Sequence, residues 1–357
     1  MDSTDSNHSQ GAPPPPDPGR LGEVLDGHDN VLVFCHLNPD PDSIASALAM
    51  TQLLETRFGK QVTMCYRGIV GRAQNREMVS RLAPNLVPFR DVESLDFSAA
   101  ILVDAQPEFG FNPEDLLELE QEIPVLVCID HHPFVKSTME VPFCDVRPGY
   151  GATATVMTEY LRLYSVVPTA VVATALYYGI KTDTLSLTRR TSDEDREAFA
   201  YLKDMVDHNA LEKIEAPPLS RLYFRNLRNA IDHAKIYGNF VSSHLDELPY
   251  PDLVAEIADL MLKVEDSTWS VCTGRFEDTM MISVRTRDVD GDAGVFIRKV
   301  VGRLGQAGGH NTMAAARIPL EGQGAEKYAE LRIEILKRML TFLKASRIPG
   351  EALISSI

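Results

Sequence analysis

The chain has 357 residues, of which 44% are hydrophobic and 24% charged, a length and balance that predict two folded domains and exclude a fibrous or wholly disordered chain. Asp and Glu outnumber Lys and Arg by 51 to 35, a formal charge of −16 that repels long polyanions and argues against a dedicated binder of long nucleic acid. If the chain handles phosphates, the attraction has to be local, and bound metal ions could supply it.

Residues 1–20, MDSTDSNHSQGAPPPPDPGR, lack a basic flank and an apolar segment, so they are expected to form a disordered tail and not a signal peptide. NVLVFCH (30–36) reads as a buried strand. The spacing of Ile44, Leu48, Leu53 and Leu54 predicts a helix over 43–57. QVTMCYR (61–67) is strand-like. GRAQNREMV (71–79) is polar: Arg72 or Asn75 could reach a base or ribose, or the segment is an exposed helix start. AAILVDA (99–105) and IPVLVCID (123–130) are two more buried strands, each carrying an aspartate at its end. Residues 151–164 and 168–184 predict two helices, and 192–235 a polar helical connection. The second half gives a helix at 252–264, a hairpin of 269–276 and 279–287 about Glu277 and Asp278, helices at 293–305 and 325–345, and no internal repeat. Continuous apolar strands alternating with helices predict a doubly wound parallel α/β sheet followed by a smaller α/β domain. No apolar run approaches the roughly 20 residues of a membrane span. The five cysteines are odd in number, show no CxxC spacing and mostly sit in apolar runs, which predicts buried reduced thiols in the cytoplasm.

Four separated segments offer oxygen or imidazole ligands: His36, Asp40 and Asp42; Asp104; Asp130, His131 and His132; and Asp183. Parallel sheets carry their sites beyond the carboxyl ends of their strands, where His36, Asp104 and Asp130 fall. Carboxylates crowded there repel one another unless cations lie between them. A mixed carboxylate and imidazole set suits manganese, iron, cobalt or zinc better than calcium. Two divalent ions bridged by one carboxylate clamp the attacking and leaving oxygens of a phosphate ester. Each piece also has a local alternative. Asp42 fits as the cap of a helix beginning at Ser43. Asp104 and Asp183 fit as turn or cap residues, and the His131–His132 pair as surface or core histidines.

HLNPDPDSIAS (36–46), VDAQP (103–107), IDHHP (129–133) and GIKTDT (179–184) resemble the four motifs of the DHH phosphoesterases. GQAGGHNTMAAA (305–316) is similar to the glycine-rich histidine motif of their associated C-terminal domain. The resemblance covers residues 21 to 320 and is nearest the oligoribonuclease and phosphoadenosine-phosphate phosphatase branch, the nanoRNases. It implies a metal-binding catalytic domain at 21–190, a helical connector at 191–235, a substrate-binding domain at 236–357, and an active site in the cleft between them. His36 and Asp40 would bind one metal and Asp42, His131 and Asp183 a second, with Asp104 bridging both. Asp130 would orient a ligand histidine, and His132 would face the phosphate and protonate the leaving oxygen. Gly308, Gly309 and His310 would close on the phosphate, with Arg285 or Arg287 as a further contact. The motif departs from the family in reading Gly305-Gln306-Ala307 where further glycines are common.

The implied cofactors are two divalent ions, Mn2+ first, with Mg2+ or Co2+ as alternatives. The implied substrates are very short RNA or DNA, linear or cyclic dinucleotides, or phosphoadenosine phosphate. Neither long nucleic acid nor a membrane is an expected partner, and a homodimer is one assembly the resemblance allows. Two other readings compete. An inorganic pyrophosphatase of the same superfamily would carry a Ser-Arg-Lys-Lys type motif, which is not found. A nucleotide-binding regulator without catalysis should have lost ligands, and here every expected ligand is present.

Overall fold

A computed structural model of the chain describes residues 13–92, 96–112, 116, 123–309 and 311–354. They divide into two units, Met1–Pro217 and Pro218–Ile357.

In the first unit, α1 (Arg20–Val24), β1 (Asn30–Phe34), α2 (Pro41–Phe58), β2 (Gln61–Tyr66), α3 (Ala73–Leu82), β3 (Val87–Pro88) and β4 (Ala99–Val103) follow in order. The chain continues through a tight pair, β5 (Gln106–Pro107) and β6 (Gly110–Phe111), then β7 (Val125–Asp130) and β8 (Phe143–Val146). Helices α4 (Thr153–Leu163), α5 (Ala170–Asp183), α6 (Asp193–Leu202) and α7 (His208–Glu215) close the unit. The sheet is parallel in the order β3-β2-β1-β4-β7-β8, so the chain winds outward from β1 in one direction and then from β4 in the other. That reversal is why β1 and β4 lie adjacent, and it opens a crevice beyond their carboxyl ends.

The central strands are apolar on both sides because both sides are covered. Val31, Val33, Ile101, Val103, Val127 and Ile129 pack beneath the helices. Leu32, Phe34, Ala100, Leu102 and Cys128 pack against Phe89, Phe97, Phe111 and Val141 on the other face. Each Val, Leu, Ile or Phe side chain among them taken fully out of water contributes about 1.5–3 kcal/mol. The segment anticipated as a connector is divided: α6 and α7 bury Ala198, Leu202, Leu211 and Ile214 in the first core. Residues 1–12 of the anticipated tail lie outside the described residues, while Pro18 already accepts a hydrogen bond from the Tyr164 hydroxyl.

The second unit runs α8 (Arg221–Asp232), β9 (Lys235–Tyr237), β10 (Phe240–Glu247), α9 (Leu253–Met261), β11 (Trp269–Phe276), β12 (Thr279–Thr286) and α10 (Ala293–Val301). It ends with β13 (Gln306–Gly309), β14 (Met313–Pro319), α11 (Gly324–Phe342) and β15 (Glu351–Ala352). Its sheet is mixed, β13-β14-β12-β11-β10-β9-β15, and only the β10–β11 pair is parallel among these neighbours. The anticipated hairpin turns at Glu277, whose φ of 52° suits a two-residue connection. The helix expected to reach 305 stops at Val301, because Gly302 reverses the backbone with a φ of 58° and β13 begins at Gln306. No helix among the described residues is long and apolar enough to cross a membrane.

One glycine sets the spacing of two helices that carry site residues. A Cβ on Gly179 of α5 would stand 3.1 Å from Asp42 Cα and 3.2 Å from the Pro41 carbonyl oxygen of α2. Gly179→Leu should therefore lower unfolding free energy by about 1–3 kcal/mol, measured by urea titration, as overpacked sites do. An unchanged midpoint would show that α2 and α5 do not need this close approach.

Candidate metal centre

The end of β1 delivers His36, and the first turn of α2 delivers two carboxylates with different surroundings. Asp40 is the helix cap: its Oδ1 accepts from the Ser43 amide at 3.0 Å, and Pro41 takes the first helical position, where a missing N–H is harmless. The cap is thus Asp40, and Asp42, the alternative capping candidate, is freed from that task. Asp42 is fully buried and accepts from the Thr153 and Ala154 amides of α4 at 2.7 Å each. Asp104 directly follows β4 with a φ of 56°, left-handed backbone that costs a residue other than glycine about 1–3 kcal/mol. β7 ends at Asp130 and releases His131 and His132. Asp183 is the last residue of α5 and lies one turn beyond Gly179 on the same side of the helix.

These segments converge. His36 Nε2 lies 3.4 Å from Asp40 Oδ2 and 3.7 Å from Asp104 Oδ2. His131 Nε2 lies 3.8 Å from Asp42 Oδ2, 3.6 Å from Asp104 Oδ1 and 3.6 Å from Asp183 Oδ2. The groups His36, Asp40, Asp104 and Asp42, His131, Asp183 each place their ligand atoms within 4.8 Å of one another, as do Asp104, His131 and His132. The two oxygens of Asp104 face different sets.

The electrostatics of this cluster call for positive charge. His131 Nδ1 faces the Tyr150 carbonyl oxygen at 3.2 Å and must donate to it, so the neutral ring turns a lone pair at Nε2 towards three carboxylates. The ring is held neutral because burial, together with the charge of His132, pushes its pKa down to about 4. His131 Nε2 and Asp104 Oδ2 are buried without a hydrogen bond, a cost that native structures otherwise avoid. Burial and then repulsion from Asp40 push Asp42 up to about 7. Burial and neighbouring carboxylates also raise Asp104 and Asp183 well above the ordinary range. In Asp40 the charge and hydrogen bond of His36 outweigh burial and hold the carboxyl below that range. Asp183 also stands at the negative end of its helix, where a carboxylate is unfavourable. Ligand pairs on an ion with bonds near 2.0–2.3 Å sit roughly 3–4 Å apart, the spacing seen here, and the all-carboxylate and imidazole donor set fits a divalent ion.

Apart from Asp130, the residues that support the cluster carry no sequence signal specific enough to find them. Asp130 accepts from His132 Nδ1 at 2.9 Å and from the His131 amide at 2.8 Å, so the histidine it orients is His132, while Tyr150 orients His131. Gln106 donates to Asp130 Oδ2 at 2.6 Å and accepts from Thr138 and the Val135 amide. Thr153 Oγ1 donates to Asp104 Oδ1 at 2.9 Å. Asp195, buried at 0% exposure, closes a capping box with Ser192 and also binds the Gly151 amide and the Thr155 hydroxyl. Asn75 does not stand free for a base: it is 3% exposed and its amide donates to the Pro39 carbonyl, propping the loop between His36 and Asp40.

In the second unit, Arg285 is 8% exposed and its guanidinium donates to Asp259, Ser283 and the Val284 carbonyl. Arg287 is exposed. Gly309 has a φ of 143°, and a Cβ there would stand 2.3 Å from Ala314 Cα, whereas a Cβ on Gly308 would meet open space. His310 lies outside the described residues.

Residues 30–180 match the DHH family, N-terminal domain. The chain carries a DHH-family domain. Every clustered residue of the first unit except Asp183 falls within the matched DHH domain. Over 292 residues the chain is 34% identical to an uncharacterized protein of Methanocaldococcus jannaschii, covering 81% of this chain and 58% of that protein. Over 340 residues it is 24% identical to the bifunctional oligoribonuclease and PAP phosphatase NrnA of Thermus thermophilus, covering 90% and 94% of the two. Its fold is similar to that of an exopolyphosphatase-related protein from Bacteroides fragilis, with a TM-score of 0.69 at 14% identity over 92% and 97% of the chains. The chain spans about half the length of the first curated relatives it matches, 58% of the archaeal protein and 46% of each of the next two.

Carboxyls raised by folding cost stability once pH climbs above their ordinary value of 3.8, and for Asp42 the cost is complete above about 7. Chelator-stripped protein should therefore lose stability between pH 4 and 7, and added Mn2+ should raise its melting temperature more at pH 7.5 than at pH 5. Calorimetry showing an equal or smaller shift at pH 7.5 would contradict the charge balance described. Gln106→Leu leaves Asp130 without its amide donor and so loosens His132; it should cost about 10–100-fold in activity with Mn2+ present, while Mn2+ affinity, read by titration, changes little.

Proposed function

We propose that the chain is a divalent-metal-dependent phosphoesterase acting on very short oligonucleotides or nucleotide phosphates. The observation that supports this most is Asp104, whose Oδ2 faces His36 and whose Oδ1 faces His131. In this reading His36, Asp40 and Asp104 hold one ion, and Asp104, Asp42, His131 and Asp183 hold the other. Two such ions, Mn2+ first among them, neutralise phosphoryl charge and supply a nucleophile near neutral pH when bound.

The chain's own residues then have distinct tasks. Thr153, Ala154 and Tyr150 fix the directions of Asp104, Asp42 and His131, so the ligand set is formed before substrate arrives. Asp130 holds Nδ1 of His132, leaving Nε2 to give a proton to the departing oxygen. Gly308, Gly309 and His310 are assigned to the phosphate on the resemblance of their motif. The arginine contact is better given to exposed Arg287 than to Arg285, which would first have to leave Asp259. The match to NrnA along nearly the whole of both chains supports a short, nucleotide-based substrate. All five cysteines are free thiols, which supports a cytoplasmic setting.

The test is release of mononucleotides from a panel of dinucleotides, short RNA and DNA, and phosphoadenosine phosphate with Mn2+ present. Asp104→Asn should keep the fold and lose turnover to background; full metal content with normal turnover would refute its bridging role. Hydrolysis should be fastest on the shortest strands, because a long strand lays phosphates across a chain of net charge −16. Raising salt should narrow the gap. A rate series by length at two ionic strengths checks this, and faster cleavage of long strands would favour a processive nuclease.

A further inference from the structure

Phe109 is an exposed aromatic ring set against a histidine of the metal centre. Its ring centroid lies 4.9 Å from that of His132 at an interplanar angle of 49°, yet the residue is 40% exposed. Scattered apolar residues are ordinary on a protein surface; this one is held in place by a constrained turn. Gln106 and Phe109 exchange backbone hydrogen bonds at 2.8 and 2.9 Å, and Glu108 between them has a φ of 68°. Gln106 is also the residue that grips Asp130, so one residue fixes both the phosphate side and the ring.

Neighbouring loops add apolar surface. The Leu37 amide donates to the Gly110 carbonyl at 2.8 Å, the Asn38 amide to the Arg67 carbonyl at 3.0 Å, and the Ile69 amide to Asn38 Oδ1 at 2.8 Å. Leu37 and Ile69 on these joined loops are 37% and 36% exposed. Next to a cluster of carboxylates, three exposed apolar side chains on adjoining loops have no use for an inorganic phosphate. They suit the flat, uncharged face of a base.

We propose that Phe109 stacks on a nucleobase of the substrate, with Leu37 and Ile69 extending the platform, so that the site selects base-bearing phosphates over pyrophosphate and polyphosphate. This rests on the phosphoesterase reading of the same site. Base–aromatic stacking tolerates every base, so the platform sets substrate class and not sequence.

The experiment compares a natural dinucleotide with an analogue whose stacked residue is an abasic tetrahydrofuran, using the Mn2+-loaded full chain. The wild type should prefer the natural substrate, and Phe109→Ala should raise its KM about 10-fold and so erase most of that preference. Phe109→Trp should retain it. If the wild type cleaves the dinucleotide but Phe109→Ala leaves the preference intact, the platform is wrong and the phosphoesterase reading stands. An equal loss of kcat on both substrates would show that the ring only braces His132, which also overturns the proposal. If the wild type cleaves neither the dinucleotide nor phosphoadenosine phosphate, the phosphoesterase reading fails and the platform with it.

Discussion

Repulsion among carboxylates is the constraint around which the first unit is built. Asp40, Asp42, Asp104, Asp130 and Asp183 come from four distant segments and end in one corner, with Asp42, Asp104 and Asp130 essentially out of water. Left to themselves, such groups would protonate or move apart. Neither is what the backbone prepares for. It places Asp104 in left-handed geometry, turns the Nε2 lone pair of His131 towards three acids, and leaves Asp104 Oδ2 without a donor. Strain of this kind is held by the surrounding structure and clusters at functional sites, and buried polar atoms without a partner call for an explanation that a bound cation would supply.

The fold supplies the convergence. Because the sheet reverses its winding between β1 and β4, the ends of those strands and of β7 lie side by side. The start of α4 supplies two amides to Asp42 and a hydroxyl to Asp104. Asp195 secures that start from α6, and Gly179 lets α5 approach closely enough to bring Asp183 into the set. Residues far from the cluster in sequence thus determine its geometry, and the same turn that orients Asp130 through Gln106 also presents Phe109.

Much of this was legible because the chemistry left dense local marks. Three acids and histidines directly after apolar strands, and a helix-spaced run after Asp42, point to strand ends and a helix mouth without further information. Motif resemblance singled out His36, Asp40, Asp42, Asp104, His131 and Asp183, whose ligand atoms lie close together, and also Gly308, Gly309, His310 and Arg285 of the second unit, whose roles are proposals. What escaped were contacts set by tertiary packing. Gln106, two residues past Asp104, gave no sign that its partner was Asp130. Asn75 looked exposed within a polar segment but packs inward against Pro39. Strand alternation put Arg285 and Arg287 on one face, yet Asp259, 26 residues away, decides that Arg285 is buried. β10 was missed because Ser242, Ser243 and His244 interrupt the apolar run of Phe240–Glu247.

In the proposed function one carboxylate, Asp104, joins two ion sites. Electron paramagnetic resonance of the Mn2+-titrated protein tests it most directly, because two Mn2+ ions sharing a bridging ligand couple magnetically. A bridging Asp104 gives two ions bound per chain and a spin-coupled signal, which gives way to that of isolated Mn2+ in Asp104→Asn. A single ion per chain at saturation, or two ions that remain uncoupled in the wild type, would contradict it.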